Sequence, residues 1–153
     1  MTRLKRPAIR IEVIKQIYNI CLLPNNHLIL ESSNMFMPGF EVYDLSLEPS
    51  AAENSIMTVE TNASDLTAIR YNRENIFMGF SNGAVNNEIQ VYTYNYEKIK
   101  TIPIEFNDYL NNMSLLMNDR FIVGSHSQGR LSITNLETES STVLDSDAID
   151  DSI

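Results

Sequence analysis

An all-β fold of three four-stranded units is predicted by three features of this chain. The apolar runs are short, crowded with β-branched and aromatic residues, and broken by turn residues about every eight to twelve positions, which disfavours helices. One stretch, Arg120 to Thr138, reads as a hairpin: Phe121-Ile122-Val123 and Leu131 to Leu136 flank the turn-rich Gly124 to Gly129. That hairpin recurs twice upstream.

In the hairpin's second run Leu131 and Ile133 alternate with Ser132 and Thr134, the period-two pattern of a half-buried strand. Ser127-Gln128-Gly129 supplies a residue able to take positive φ where antiparallel strands reverse. The first copy pairs Asn26–Ser33 with Phe40–Leu45, and the second pairs Glu74–Ser81 with Glu88–Tyr94. Taking Leu28, Ile76 and Phe121 as equivalent gives spacings of 48 and 45 residues. Propeller repeats have periods of roughly 40–50 residues. Each hairpin has an apolar run ahead of it (Tyr18–Leu23, Leu66–Tyr71, Leu110–Leu116) and another behind (Ser55–Val59, Ile99–Ile104, Thr142–Leu144). The units are therefore 18–61, 66–106 and 109–144.

The residues Gly124-Ser125 through Thr134-Asn135 resemble a degenerate WD40 repeat, with Gly-Ser closing the second strand and Thr134-Asn135 in the Trp-Asp positions. Tyr43-Asp44 fill those positions in the first unit and Tyr92-Thr93 in the second. The family's Gly-His is missing throughout, and Gln128 replaces the turn aspartate. The resemblance covers three units and implies a partial WD40-like β-propeller of about three four-stranded blades.

Outside the units, residues 1–6 read as a basic arm and 145–153 (DSDAIDDSI) as an acidic disordered tail. Residues 7–17 alternate Ile9, Ile11 and Val13 with Arg10, Glu12 and Ile14. They read either as a closing strand, as in propellers of the family resembled, or as a helix through Ile11, Ile14, Lys15 and Tyr18. With 43% hydrophobic and 20% charged residues, the chain is expected to fold rather than to be disordered throughout. No apolar run reaches the ~18 residues of a membrane span. Residues 1–23 are interrupted by Glu12, Lys15 and Gln16 and do not read as a signal peptide, so Asn62-Ala63-Ser64 and Asn112-Met113-Ser114 match the glycosylation pattern by chance. Cys21 is the lone cysteine, which excludes an intramolecular disulfide and agrees with a reducing compartment, cytoplasm or nucleus. Residues 1–15 carry five basic groups and one acid; the remainder carries six against nineteen, a net −13. Such a body repels phosphate backbones and favours a basic protein partner over nucleic acid.

No catalytic, cofactor or metal constellation stands out. His27 and His126 read as solvent-facing or turn residues, and about 13 Å of strand separates His27 from Glu31. Cys21 reads as a small buried hydrophobe, and Glu31, Glu41 and Asp44 as solvated acids scattered over two faces. Gly79 to Gly83 lacks the following helix that a phosphate loop needs. Tyr92, Tyr94 and Tyr96 alternate along one strand and read as packing aromatics. Ser32, Ser81 and Ser125 read as turn or sheet-to-sheet hydrogen-bonding residues. The partner-binding candidates are Met35, Phe36 and Met37, apolar bulk on a loop, and the basic Arg3, Lys5 and Arg6. Three blades cannot shut a ring of roughly four to eight. The remaining blades then come from a partner subunit, a second copy, or a longer gene product of which this sequence is a piece. The function expected is a non-enzymatic interaction scaffold; the alternatives are a propeller-type hydrolase or lyase and a small unrelated β-sandwich.

Overall fold

The computed structural model describes residues 17, 19–31, 39–47, 55–61, 65–82, 86–105, 108–116 and 119–144. Arg3, Lys5, Arg6, Met35, Phe36 and Met37 lie outside them, as do the arm, the closing segment up to residue 16 and the acidic tail. Among the described residues there are twelve strands, one single 3₁₀ turn and no α-helix. The strands are β1 (Ile20–Leu22), β2 (His27–Glu31), β3 (Gly39–Asp44), β4 (Met57–Glu60), β5 (Asp65–Tyr71) and β6 (Ile76–Asn82). They continue as β7 (Asn86–Tyr92), β8 (Lys98–Ile104), β9 (Leu110–Leu115), β10 (Phe121–His126), β11 (Leu131–Asn135) and β12 (Ser140–Leu144). They form three antiparallel four-stranded meanders, β1–β4, β5–β8 and β9–β12. The fold is all-β, and each predicted run contributes one strand. Chain contacts divide the protein into two compact units, Met1–Glu60 and Thr61–Ile153.

The ladders correct one equivalence. Tyr43 pairs with Leu28, Tyr92 with Ile76, and Thr134 with Ile122, whereas Phe121 pairs with Asn135. If Thr134 occupies the place of the two tyrosines, the third first-strand equivalent is Ile122, not Phe121. Between the second and third sheets burial agrees, with Tyr92, Thr134, Ile76 and Ile122 buried and Phe121 and Asn135 only half-buried; in the first sheet Tyr43 is buried and Leu28 half-buried. The two tyrosines also bond alike. Tyr43 Oη donates to Glu41 Oε2 (2.8 Å), and Tyr92 Oη donates to Gln90 Oε1 (2.5 Å), the residue two before in each case. Burial, reinforced by the adjacent carboxylates of Glu41 and Glu88, pushes both phenols up to about 12.

The tyrosine pattern differs from expectation. Strand β7 ends at Tyr92, and Tyr96 sits in the following turn at φ +64, its N–H donating to the Thr93 carbonyl. Only Tyr92 is in the ladder, because Thr93 Oγ1 accepts from the N–H groups of Asn95 and Glu97 and closes the chain into a turn. The β10–β11 reversal behaves as predicted, with Gln128 at φ +61 and Gly129 at φ +75.

In the unit Thr61–Ile153 two sheets share one core. Ala68, Phe77, Ile89, Val91, Ile102 and Ile104, all on one face of β5–β8, pack with Leu110, Met113 and Ile122 of β9–β12. Corresponding strands meet, β5 against β9 and β8 against β12. Gly79 allows the close approach: a Cβ there would stand 2.7 Å from Met113 Sδ and 3.0 Å from Leu110 Cδ2. Beside the β8–β12 contact Lys100 Nζ donates to the Leu136 carbonyl (3.2 Å) and to Glu139 Oε1 (2.7 Å). Beside the β5–β9 contact Arg70 Nη2 donates to Asn112 Oδ1 (2.8 Å).

Candidate functional site

Strand β11 is inverted relative to ordinary amphipathic strands. Its polar residues Ser132 and Thr134 are fully buried, while Leu131 is 40% exposed and Ile133 half-buried. The cause lies in which side has a neighbour. Ser132 and Thr134 share a face with Ile122, which packs into the core with β5–β8. The opposite face presents Val123, Leu131, Ile133 and Leu144. Through the corrected equivalence these correspond to Phe77, Val91, Ile89 and Ile102 of the preceding sheet: Val123 to Phe77, Ile133 to Val91, Leu131 to Ile89, Leu144 to Ile102. In β5–β8 those positions are shut away, Ile89 and Ile102 at 0% exposure; in β9–β12 Leu131 and Leu144 stand at 40% and 47%. The same face is closed in one sheet and open in the next.

The polar interior has its own order. Ser81 Oγ donates to Asn87 Oδ1 (2.9 Å), Asn87 Nδ2 donates to the Asp108 carbonyl (2.5 Å), and the Leu110 N–H donates to Asn87 Oδ1 (3.2 Å). Asn87 thereby ties β7 to the start of β9, while the Ser81 bond to Asn87 lies within the β5–β8 sheet. Nearby, His126 Nε2 and Ser132 Oγ lie 2.8 Å apart, and Thr134 Oγ1 and Ser141 Oγ are likewise 2.8 Å apart. Asp108 Oδ1 accepts from the Tyr109 N–H (2.9 Å), and its Oδ2 is buried without a hydrogen bond among the described residues.

Asp108, His126 and Ser132 are the nearest approach to a catalytic constellation among the described residues, and the sequence reading missed it. Their separation by 18 and 6 positions carries no motif; only the β10–β11 ladder and the turn before β9 assemble them. His126, expected to face solvent or lie in a turn, ends β10 and is buried, with Asp108 beside it and the next N–H, of Ser127, bonded to the Tyr109 carbonyl. Burial holds its imidazole below 6.5, and the nearby Asp108 opposes this only in part. Ser132 Oγ has no exposed surface from which to meet a substrate.

A pH dependence follows. The buried neutral imidazole takes up a proton more readily when unfolded, so its contribution is intact above the unfolded value of 6.5 and is lost as pH falls through the lower folded value. Thermal melts from pH 7.5 to 5 are expected to show a falling Tm, and His126→Gln to make that fall shallower. An identical acid slope in the variant would show that other groups govern it.

In the unit Met1–Glu60, Glu31 is buried rather than solvated and accepts from Asn19 Nδ2 (2.7 Å). Its strand neighbour across the ladder is Phe40, itself fully buried. His27 and Asp44 face each other across the same ladder, 3.9 Å apart and half-exposed. Two hydrogen bonds from Ser46 hold the Asp44 carboxyl below its usual range, with His27 a smaller cause. Cys21 is half-buried. Exposed apolar residues gather on β1: Ile20 is 66% and Leu22 55% exposed.

Among the described residues no cluster of three or more His, Cys, Asp or Glu is placed to hold a metal, and no helix is long and apolar enough to cross a membrane. No protein-family model and no curated protein sequence matches the chain.

Proposed function

We propose that this chain is a non-enzymatic protein–protein interaction scaffold, a partial WD40-like propeller whose missing blades are supplied in trans by a partner subunit or a second copy. The observation that carries the reading is the inverted strand β11. A sheet that buries Ser132 and Thr134 and leaves Leu131, Ile133 and Leu144 outward has an apolar face awaiting cover.

The stacking of β5–β8 on β9–β12 supports the same reading. The two sheets meet through unlike faces: the Phe77–Val91 face of one against the Ile122–Thr134 face of the next. A sandwich of like faces is finished after two layers, whereas unlike-face stacking leaves a fresh face each time it is repeated. Repeated with corresponding edges together, it turns about an axis and closes only after roughly four to eight sheets. The burial of Asp108, His126 and Ser132 favours a structural role over hydrolysis. The acidic body favours a partner with a basic rim, and the working place proposed is the cytoplasm or nucleus.

Affinity capture of the full chain from cells, followed by intact mass measurement, tests this. A stoichiometric companion chain, or a defined multiple of the 17.4 kDa chain, is expected. A well-folded monomer at tens of micromolar with no companion would sink the reading.

A further inference from the structure

We infer that strand β12 is a docking edge for an extended segment of a partner protein in which apolar β-branched residues alternate with lysine or arginine. Edge strands offer unpaired backbone N–H and C=O groups, and sheets guard them with charge, proline or brevity. Six strands stand at sheet edges in this chain. β1 has three residues, β4 carries Glu60, β5 carries Asp65 and Arg70, and β8 carries Lys98, Lys100 and Pro103. β9 is uncharged, but its Asn112 accepts from Arg70 of β5. β12, Ser-Ser-Thr-Val-Leu, has none of these guards, and among the described residues it pairs with β11 alone. Such an edge accepts a further strand through its backbone and selects it through alternate side chains.

The chemistry of the occupant follows from the two sides of that edge, because successive side chains of an added strand point to opposite faces. On one side lie Thr142 and Leu144, with Ile133 and Leu131 across the ladder, and both leucines are exposed. Apolar residues match that side. On the other, Ser141 borders a cavity of about 240 Å³ lined also by Pro103, Glu105, Glu139 and Ser140. Its carboxylates and hydroxyls are acceptors for a lysine or arginine head, and its size admits the apolar stem. Charge repeats the preference over a longer reach: residues 131–153 hold six acids and no lysine or arginine. A second copy is disfavoured, since β12 against β12, centred on Thr142, would set Glu139 beside Asp145 of the other chain. The edge is available whether or not further blades complete the fold, so its failure would leave the scaffold reading standing.

Hydrogen exchange of the full chain, with a short peptide alternating valine and arginine as the probe, tests the edge. In the free protein the β12 amides that do not bond to β11 are expected to exchange rapidly. With the peptide they are expected to slow, while those of β8 stay unchanged. Thr142→Lys guards the strand as β8 is guarded and is expected to weaken binding at least about tenfold. Glu105→Gln is expected to weaken it severalfold; both sites are exposed, and both variants should keep the circular dichroism of the unmutated chain. A peptide of the same charge with proline for its central valine is expected not to bind. Equal binding of the proline peptide, or protection away from β12, would show general attraction to an acidic body and overturn the docking edge. Slow exchange of the same amides in the free chain would also overturn it, because the edge is then already filled: by a second copy if protection fades on dilution, by the chain itself if it does not. Absence of binding up to about 1 mM peptide overturns it outright.

Discussion

Replacing Asn87 by leucine is expected to lower the unfolding free energy of the unit containing β5–β12 by about 3 kcal/mol, the largest effect predicted for any polar residue there. Leucine approximates the volume and removes all the bonding. The Ser81 hydroxyl and the Leu110 N–H lose their shared acceptor, and the Asp108 carbonyl loses its donor, all three in buried surroundings. Each orphaned buried group costs roughly 1–3 kcal/mol, partly recovered by relaxation. Urea titration reads the change: with a slope of about 1–3 kcal/mol/M the midpoint should drop by more than about 1 M. Asn95→Ala, on an exposed turn, is the control and should stay within about 0.5 kcal/mol. A midpoint unmoved in Asn87→Leu would mean that the bridge between β7 and β9 contributes nothing.

The second large effect lies at the contact of the two sheets. Leu110 is fully buried between two glycines: a Cβ on Gly79 would stand 3.0 Å from its Cδ2, and one on Gly124 2.8 Å from its Cδ1. Leu110→Ala is expected to cost about 2–5 kcal/mol through lost transfer energy and the cavity left behind. Gly79→Ala overfills the same space and is expected to cost about 1–3 kcal/mol. The double variant should cost at least about 0.5 kcal/mol less than the sum, because the new methyl enters the vacated volume. Strict additivity in denaturant titrations would show that Met113, 2.7 Å from the same point, and not Leu110, sets the limit at Gly79.

Much of the fold was legible because local pattern dictates it. Short β-branched runs between Gly, Asn, Ser and Pro turns favour strands over helices, and the 45–48-residue recurrence placed every sheet. The errors came from register and environment. Phe121 looked like the first apolar residue of its strand, but a ladder is fixed by its partners, and those set Ile122 opposite Thr134. His126 and Glu31 looked like surface residues because their types usually are; what lies beside them, Asp108 at His126 and Asn19 at Glu31, is brought there by the fold and carries no motif in the sequence. The run of three tyrosines looked like one strand because alternation is visible in sequence, whereas the turn that Thr93 closes after Tyr92 is not.

By itself, then, the sequence determined the strand content, the threefold repeat and the acidic body, since each is set by residue type and spacing. Tertiary structure alone decided which side of each strand is inside. A period-two pattern marks two faces equally well, and only the sheet stacked against Ser132 and Thr134 shows that in β11 the polar side is the covered one. That choice leaves Leu131 and Leu144 in solvent while the hydroxyls of Ser132 and Thr134 are enclosed.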